Sequence, residues 1–255
     1  MWRRFLASVL DVLTPETCVG CGAVAGQQLW ADVAPGAAPG LRPWDTPHLC
    51  RRCFIAGCTP CLTADVEGVP LLTARPATAA LVTLVGCWKY QGVRGLGRPL
   101  AGWLTRSLEV CRRRHDARLV VPVPLHRRRI RERGFDQVAM LASLAAGSLD
   151  LSVATDILHR RRATGQQARR ATGDDSRRAN VAGAFSAREP GAEEDRRVVL
   201  VDDLATTGAT LLAAAAAMNR QGWQVKAFAV VGCAARLVPG DELDSDCVRP
   251  EAVAR

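Results

Sequence analysis

The segment from Val198 to Thr210 has an apolar strand, two adjacent carboxylates and a turn of small residues that opens a helix. Such a strand places Asp202 and Asp203 at the carboxyl edge of a parallel sheet, where open α/β folds bind ligands. Two adjacent acids can accept hydrogen bonds from vicinal hydroxyl groups, such as those on a ribose ring. We therefore predict that Asp202 and Asp203 are catalytic residues that hold a sugar.

The turn after these acids has the composition of an anion site. It offers backbone N–H groups at the N-terminus of a helix, together with three threonine hydroxyls. Because glycine lacks a Cβ, Gly208 lets the backbone approach a ligand closely. The residues predicted to bind a phosphate are Ala205, Thr206, Thr207, Gly208, Ala209 and Thr210. Hydroxyl acceptors beside a phosphate site predict a pocket for a ribose 5-phosphate compound.

Two other nucleotide-binding interpretations fail on sequence. A Walker B acid pair needs a partner loop that ends in Gly-Lys-Ser/Thr, and the only lysines, Lys89 and Lys226, lie in no such loop. A Rossmann loop needs G-x-G-x-x-G, but Gly95 and Gly97 are followed by Leu100 where the third glycine belongs. A strand, turn and helix with a purely structural role remains the alternative.

Cysteine pairs near the N-terminus have the spacing of metal ligands. Two C-x-x-C pairs can complete a tetrahedral four-thiolate Zn²⁺ site, which leaves no open position and is therefore structural. The predicted ligands are Cys18, Cys21, Cys50 and Cys53. A third pair, Cys58 and Cys61, could replace one of these pairs, and redox pairing or inert thiols are the alternatives.

Arginine accounts for nearly all of the positive charge, and the charge is concentrated in the middle of the chain. The formal net charge is +9, and between Arg112 and Arg178 arginines outnumber acidic residues 16 to 7. A guanidinium suits bidentate contact with phosphate, so this region permits a polyanionic partner. A solvated basic face is the simpler interpretation of Arg112–Arg114.

Strand and helix patterns alternate in the central part of the chain, and they predict a parallel sheet flanked by helices, an α/β fold. The predicted strands are 81–87, 119–123, 198–201 and 225–231, and the predicted helices are 96–110, 137–146 and 209–221. The Arg-rich stretch 160–178 is expected to be a mobile loop.

Three regions follow from the change in composition along the chain. Residues 1–70 are loop-like and predict a short helix with a Cys-rich zinc ribbon, residues 71–238 form the α/β domain, and residues 239–255 are expected to be a disordered tail. The longest apolar stretch, Leu211–Met218, is too short to span a bilayer. We therefore expect a cytoplasmic protein without membrane insertion.

Several motifs together resemble one family. The loop at 198–210 is similar to the phosphoribosyl pyrophosphate (PRPP) signature of type I phosphoribosyltransferases. The segment Val121–Gln137 resembles the PVP…RGFNQ element of the ComF/GntX family, and Arg177–Phe185 resembles its R-x-x-N-V-x-G-A-F element. With Lys89-Tyr90-x-Gly92 and the cysteine pairs, the likeness extends from about residue 11 to 233. One departure is Asp136, where the family usually has Asn.

The resemblance implies a type I phosphoribosyltransferase fold with an N-terminal zinc ribbon, and PRPP bound together with Mg²⁺. By analogy, the loop after the PVP strand faces the pyrophosphate of PRPP. Arg131 and Arg133 would then be catalytic residues that stabilise the leaving group. A solvated basic face is the alternative for these arginines too.

Two functions of different classes follow. The first is binding of PRPP or a related ribose phosphate, with phosphoribosyl transfer to an unknown acceptor. The second, which the family association implies, is a non-catalytic protein that binds single-stranded DNA during competence DNA uptake. Arginine excess favours it, but Phe135 and Phe185 are the only aromatic residues near the basic region, a poor supply for base stacking. A zinc-dependent adaptor is a third possibility.

Overall fold

The computed structural model describes residues 62–74, 77, 79–90, 94–162, 181 and 183–237. The strands in this part of the chain are β1 (Leu62–Val66), β2 (Val69–Thr73), β3 (Leu119–Pro122), β4 (Ser152–Val153), β5 (Leu158–Arg160), β6 (Phe185–Ala187), β7 (Arg197–Ala205) and β8 (Gln224–Cys233). The α-helices are α1 (Ala79–Tyr90), α2 (Gly97–His115), α3 (Arg127–Arg133), α4 (Gln137–Ala146) and α5 (Ala209–Asn219).

Six of these strands form one sheet in the order β1-β2-β8-β7-β3-β4. The β1–β2 pair is antiparallel, and every other pair in this sheet is parallel. The carboxyl ends of β2, β8, β7 and β3 therefore meet at one edge. Strands β5 and β6 form a separate antiparallel pair. The predicted fold class, a parallel sheet flanked by helices, is confirmed, and the one departure is the antiparallel β1–β2 pair.

Helix α1 corrects one prediction, because residues 81–87 were predicted to be a strand. Leu81, Leu84, Val85 and Trp88 are buried, whereas Val82 is exposed. Burial at i, i+3, i+4 and i+7 is the period of a helix face packed on a core. The β-branched residues of this segment favour a strand locally, but packing against the sheet decides for the helix.

The β1–β2 hairpin corrects a second prediction, since residues up to 70 were predicted to be loop-like. Its turn has positive φ at Glu67 (53°) and Gly68 (82°), and the Gly68 N–H donates to Asp65 Oδ1 at 2.8 Å. The sheet thus begins at Leu62. The predicted zinc ribbon and the C-terminal tail lie outside the described residues, as does most of the predicted loop 160–178.

The remaining elements agree with their patterns. Helix α4 has the predicted bounds, Gln137–Ala146, and the helix predicted for 209–221 ends at Asn219. Strand β7 is longer than the predicted 198–201, and its C-terminal half contains Asp202 and Asp203. The two acids are therefore strand residues rather than loop residues.

Two apolar clusters cover the two faces of the sheet. Val199 and Val201 of β7 belong to the cluster under α1, α2 and α4. Val198 and Leu200 belong to the other cluster, which includes α5 and Phe185 of β6. Successive residues of a strand point to opposite faces, and this alternation holds from Val198 to Val201. It does not continue to the end of β7, because Leu204 packs against the first cluster and Ala205 belongs to the second.

Candidate functional site

The turn between β7 and α5 has the geometry of an anion site. Gly208 is buried, adopts φ 74° and lies immediately before the first residue of α5. The Thr207 hydroxyl oxygen accepts from the Ala209 N–H at 3.3 Å, while Thr206 is exposed and Thr210 is half-buried. The threonine hydroxyls and the first N–H groups of the helix therefore lie around one turn, as the sequence predicts.

Arg236, which follows β8 in the chain, is hydrogen-bonded to this turn. Its guanidinium donates twice to the Thr206 carbonyl oxygen, through Nε at 3.1 Å and through a terminal nitrogen at 2.9 Å. The Ala234 N–H donates to the Ala205 carbonyl oxygen at 2.8 Å. The start of the turn is thus tied to the chain that follows the neighbouring strand.

The two acids differ in burial and in their contacts. Asp203 is 5% exposed and lies on the α1 side, where its Oδ2 is 2.6 Å from Lys89 Nζ and its Oδ1 accepts from the Leu204 N–H at 2.7 Å. Asp202 is half-buried, and its Oδ1 accepts from the Asp203 N–H at 2.8 Å. The structure therefore places both predicted acids at the turn, in different surroundings.

Burial and the neighbouring charge of Asp203 raise the pKa of Asp202 to about 7. The charges of Lys89 and Arg160 and the hydrogen bond from the Asp203 N–H oppose this rise. The carboxyl group of Asp202 thus titrates close to neutral pH, and its ionised form is the better acceptor of hydroxyl hydrogen bonds.

Arg160 is a functional candidate that the sequence indicated only as one member of an Arg-rich stretch. Its guanidinium lies 5.2 Å from the centre of the Phe185 ring, a cation–π distance. Burial lowers the pKa of Arg160, with a further contribution from the charge of Arg129, and the charge of Asp202 opposes this fall. The charges of Asp202 and of Arg129 in α3 therefore both act on Arg160.

Arg131 and Arg133 lie on α3 and differ in their contacts. Arg131 is exposed and lines an open cavity of about 430 Å³ with Arg127 and Ile130. Arg133 is half-buried and donates to Gln137 Oε1 at 2.5 Å and to the Tyr90 hydroxyl at 2.8 Å. Arg133 is thus held by hydrogen bonds within the protein, while the side chain of Arg131 is exposed to solvent.

The predicted zinc ligands Cys18, Cys21, Cys50 and Cys53 lie outside the described residues. Within the described part of the chain, no group of three or more His, Cys, Asp or Glu could hold a metal ion. The three cysteines in that part are buried, and burial raises the pKa of the Cys233 thiol to about 11. These thiols, of Cys87, Cys111 and Cys233, are core residues.

Known proteins similar to this chain agree with the geometry. The Phosphoribosyl transferase domain family matches residues 137–254, which include the turn between β7 and α5. Competence protein F of Haemophilus influenzae is 30% identical over 158 residues, which cover 60% of this chain and 68% of that protein. The chain belongs to the competence protein F (ComF) family. DNA utilization protein YhgH of Salmonella typhimurium is 28% identical over 183 residues, which cover 68% of this chain and 79% of that protein.

The end of the ComF-like element, Arg-Gly-Phe-Asp-Gln, joins α3 to α4. Gly134 adopts φ 78° and ends α3, and its N–H donates a hydrogen bond to the Ile130 carbonyl oxygen. Asp136, the departure from the usual Asn, caps α4 by accepting from the Ala139 N–H at 3.1 Å. Either residue type serves well at an N-cap, so the departure leaves the fold of this element intact.

The ion pair of Lys89 with Asp203 is the main contact that sequence reasoning missed. Lys89 and Tyr90 end α1, and they contact Asp203 of β7 and Arg133 of α3 respectively. The available signal was the Lys-Tyr pair within the ComF resemblance, in a chain with two lysines and one tyrosine.

In the described residues, no helix is both long and apolar enough to cross a membrane.

Proposed function

We propose that this ComF-family protein binds PRPP or a related ribose 5-phosphate compound at the carboxyl edge of its sheet and transfers the phosphoribosyl group to an acceptor. The observation that carries the proposal is the turn 205–210, with Gly208 at positive φ opening α5 directly after the acids of β7. A 5-phosphate would accept hydrogen bonds from the N–H groups and threonine hydroxyls of this turn.

Each part of the site has a task in that reaction. Asp202 would accept a hydrogen bond from a ribose hydroxyl and hold C1 towards the acceptor. The bond between C1 and the pyrophosphate oxygen breaks as the acceptor nucleophile bonds to C1, and the pyrophosphate leaves with the electron pair. Arg131, and Arg160 beside Asp202, would stabilise the charge that develops on the leaving group.

The residues present are compatible with Mg²⁺ that arrives with PRPP. Magnesium prefers oxygen ligands and is often bound by one or two carboxylates together with substrate phosphates. Asp202 could contact the ion directly or through water, whereas Asp203 is engaged by Lys89. Bound Mg²⁺ would neutralise part of the pyrophosphate charge. We also propose that a structural Zn²⁺ is bound by Cys18, Cys21, Cys50 and Cys53, and that the protein is cytoplasmic.

Calorimetric titration of PRPP with Mg²⁺ into the full chain tests the proposal. We expect saturable binding that weakens at least tenfold in Asp202→Asn, since the charged acceptor is lost. The matched control is Asp195→Asn, because Asp195 precedes the opposite end of β7 and pairs there with Arg197. The absence of both binding heat and thermal stabilisation with PRPP would contradict the pocket. An equal loss of PRPP affinity in Asp202→Asn and Asp195→Asn would contradict it too.

Binding of single-stranded DNA is a second candidate, favoured by the exposed arginines of α3, Arg127, Arg128 and Arg131, and by the name of the second relative. Phosphate contacts of this kind weaken steeply as salt increases. Fluorescence anisotropy of a labelled 20-base oligonucleotide at two salt concentrations distinguishes the candidates. Salt-sensitive DNA binding without pyrophosphate release from PRPP would favour the second.

A further inference from the structure

We propose that Arg236 is a positioning residue for the phosphate of the ligand, because it holds the Thr206 carbonyl group and thereby directs the Thr207 N–H towards the bound phosphate. The inference rests on the proposed function and adds to it a residue that follows the last strand of the sheet. Arg236 contacts the turn and not the ligand, so its effect is confined to the 5-phosphate end of a sugar phosphate.

The N–H groups of the turn are the first step. The Ala209 N–H donates to the Thr207 hydroxyl oxygen at 3.3 Å and is therefore occupied within the turn. In the part of the chain that the structure describes, neither the Thr207 N–H nor the Gly208 N–H donates a hydrogen bond. Two backbone donors beside the start of α5 thus remain for an anion, and their use depends on the direction in which their peptide groups point.

The orientation of the peptide between Thr206 and Thr207 is the second step. In a trans peptide the C=O and the N–H lie in one plane and point in nearly opposite directions, and the described chain contains no cis peptide bond. The Thr206 carbonyl points to the Arg236 guanidinium, which donates to it at 3.1 Å through Nε and at 2.9 Å through a terminal nitrogen. The Thr207 N–H therefore points away from Arg236.

The form of this contact is the third step. A carbonyl oxygen has two lone pairs, so it can accept two N–H groups of one guanidinium, and such a paired contact resists rotation of the peptide more than a single hydrogen bond does. The positive charge also polarises the peptide and strengthens its N–H as a donor. The preceding peptide is fixed as well, since the Ala234 N–H donates to the Ala205 carbonyl oxygen at 2.8 Å. Both peptide groups that enter the turn are therefore held by the segment after β8.

Loss of Arg236 should act on the phosphate through this peptide. In the described residues, Arg236 supplies both hydrogen bonds that the Thr206 carbonyl accepts. Thr206 is exposed, so without these bonds water can take their place and the peptide can rotate. A rotated peptide would present its oxygen to the phosphate in place of an N–H. We therefore expect an equal loss of affinity for every ligand that places its phosphate in this turn.

Isothermal titration calorimetry of the full chain tests the inference with two probes, ribose 5-phosphate and PRPP with Mg²⁺. Arg236→Met removes both donors and keeps an unbranched side chain. We expect about a five- to tenfold loss of affinity, equal within about twofold for the two probes, because both place the same phosphate in the turn. No loss overturns the inference. A clearly larger loss for PRPP also overturns it, because Arg236 would then act on the pyrophosphate.

Two further variants separate positioning from net charge. Arg220→Met is the matched control, since Arg220 is exposed, carries the same charge and lies at the other end of α5. Its affinity for either probe should change by less than about twofold, and a loss equal to that of Arg236→Met would assign the effect to net charge and overturn the inference. Arg236→Lys keeps one donor for the carbonyl, so it should bind both probes at least about twofold more tightly than Arg236→Met. Equal affinities of these two variants would contradict the inference.

Salt dependence distinguishes positioning from direct contact with the phosphate. Between about 50 and 300 mM sodium chloride, the affinity for ribose 5-phosphate should fall by the same factor in the wild type and in Arg236→Met, because a guanidinium bound to the carbonyl does not pair with the ligand. A smaller fall in the variant would show direct contact and overturn the inference. If the wild type binds neither probe, the proposed function itself fails, and the inference fails with it. If the wild type binds both probes and Arg236→Met matches the control, only the inference fails.

Discussion

Gly208 faces Val66 so closely that a Cβ on the glycine would lie 2.5 Å from Cγ1 of the valine. Val66 ends the first strand of the β1–β2 hairpin, and Gly208 immediately precedes α5. The hairpin, whose first strand lies in the region that was predicted to be loop-like, therefore packs directly on the turn that we propose binds phosphate. This contact joins the first strand of the sheet to the turn at the carboxyl end of β7.

Gly208→Ala should destabilise the protein by about 2–4 kcal/mol, since a positive φ and a contact with Val66 act together. Urea unfolding measures the loss. Gly86→Ala is the control, because Gly86 lies inside α1 with no atom within 4 Å of the added Cβ. Val66→Ala should recover part of the loss in the double variant, and a purely additive double variant would show that the contact is unimportant.

The raised pKa of Asp202 predicts that Asp202→Asn becomes more stable relative to the wild type as pH increases from about 4 to 7. The folded state binds the Asp202 proton more tightly than the unfolded state, so ionisation in this window disfavours folding of the wild type. We expect a relative gain of about 1–2 kcal/mol, reduced by partial solvation of the side chain. Urea unfolding at pH 5, 6, 7 and 8 checks this, and a difference that does not change with pH would contradict it.

Lys89→Met should destabilise the protein by about 2–4 kcal/mol, because it leaves the Asp203 carboxylate buried without its partner. Lys226→Met is the matched control, since Lys226 is the other lysine of the chain and is half-buried in β8. Thermal and urea unfolding give the comparison. Addition of Asp203→Asn to Lys89→Met should restore part of the stability, and equal stability of the two single lysine variants would exclude a strong ion pair.

Substitution of Arg131 and substitution of Arg133 should have different effects on stability and on PRPP binding. Arg133→Ala removes hydrogen bonds to Tyr90 and Gln137 and should lower the free energy of unfolding by about 1–2 kcal/mol. Arg131→Ala should change stability by less than about 0.5 kcal/mol and weaken PRPP binding, since Arg131 is exposed. Arg128→Ala is the control on the same helix, and equal PRPP affinity in both exposed-arginine variants would remove Arg131 from the site.

Zinc should be present at about one ion per chain and should be lost in Cys18→Ser and in Cys50→Ser, if these residues are ligands in a four-thiolate site. Elemental analysis of the purified protein measures this. Cys58→Ser provides the comparison, because the third cysteine pair is the alternative source of ligands. Retention of zinc in Cys18→Ser with loss in Cys58→Ser would assign the site to the other pair.

Local sequence determined the turn and its neighbours. A run of valine and leucine followed by two acids, a small-residue turn and an alanine-rich stretch can form little except a strand, a tight turn and a helix, and the structure has them at 197–205 and 209–219. Helix α4 was equally predictable, because Asp136 at its N-cap and buried residues at helical spacing agree with each other. Predictions of this kind need only contacts between residues close in the chain.

Tertiary contacts determined the rest. Residues 81–87 form a helix because their buried side chains face the sheet, which outweighs the strand preference of their β-branched residues. The different environments of Asp202 and Asp203 depend on Lys89 and Arg160, which supply the nearby charges and are distant in sequence from both acids. Sequence thus identified the acids and the turn, whereas packing of α1 on the sheet decided that Asp203 is paired with Lys89.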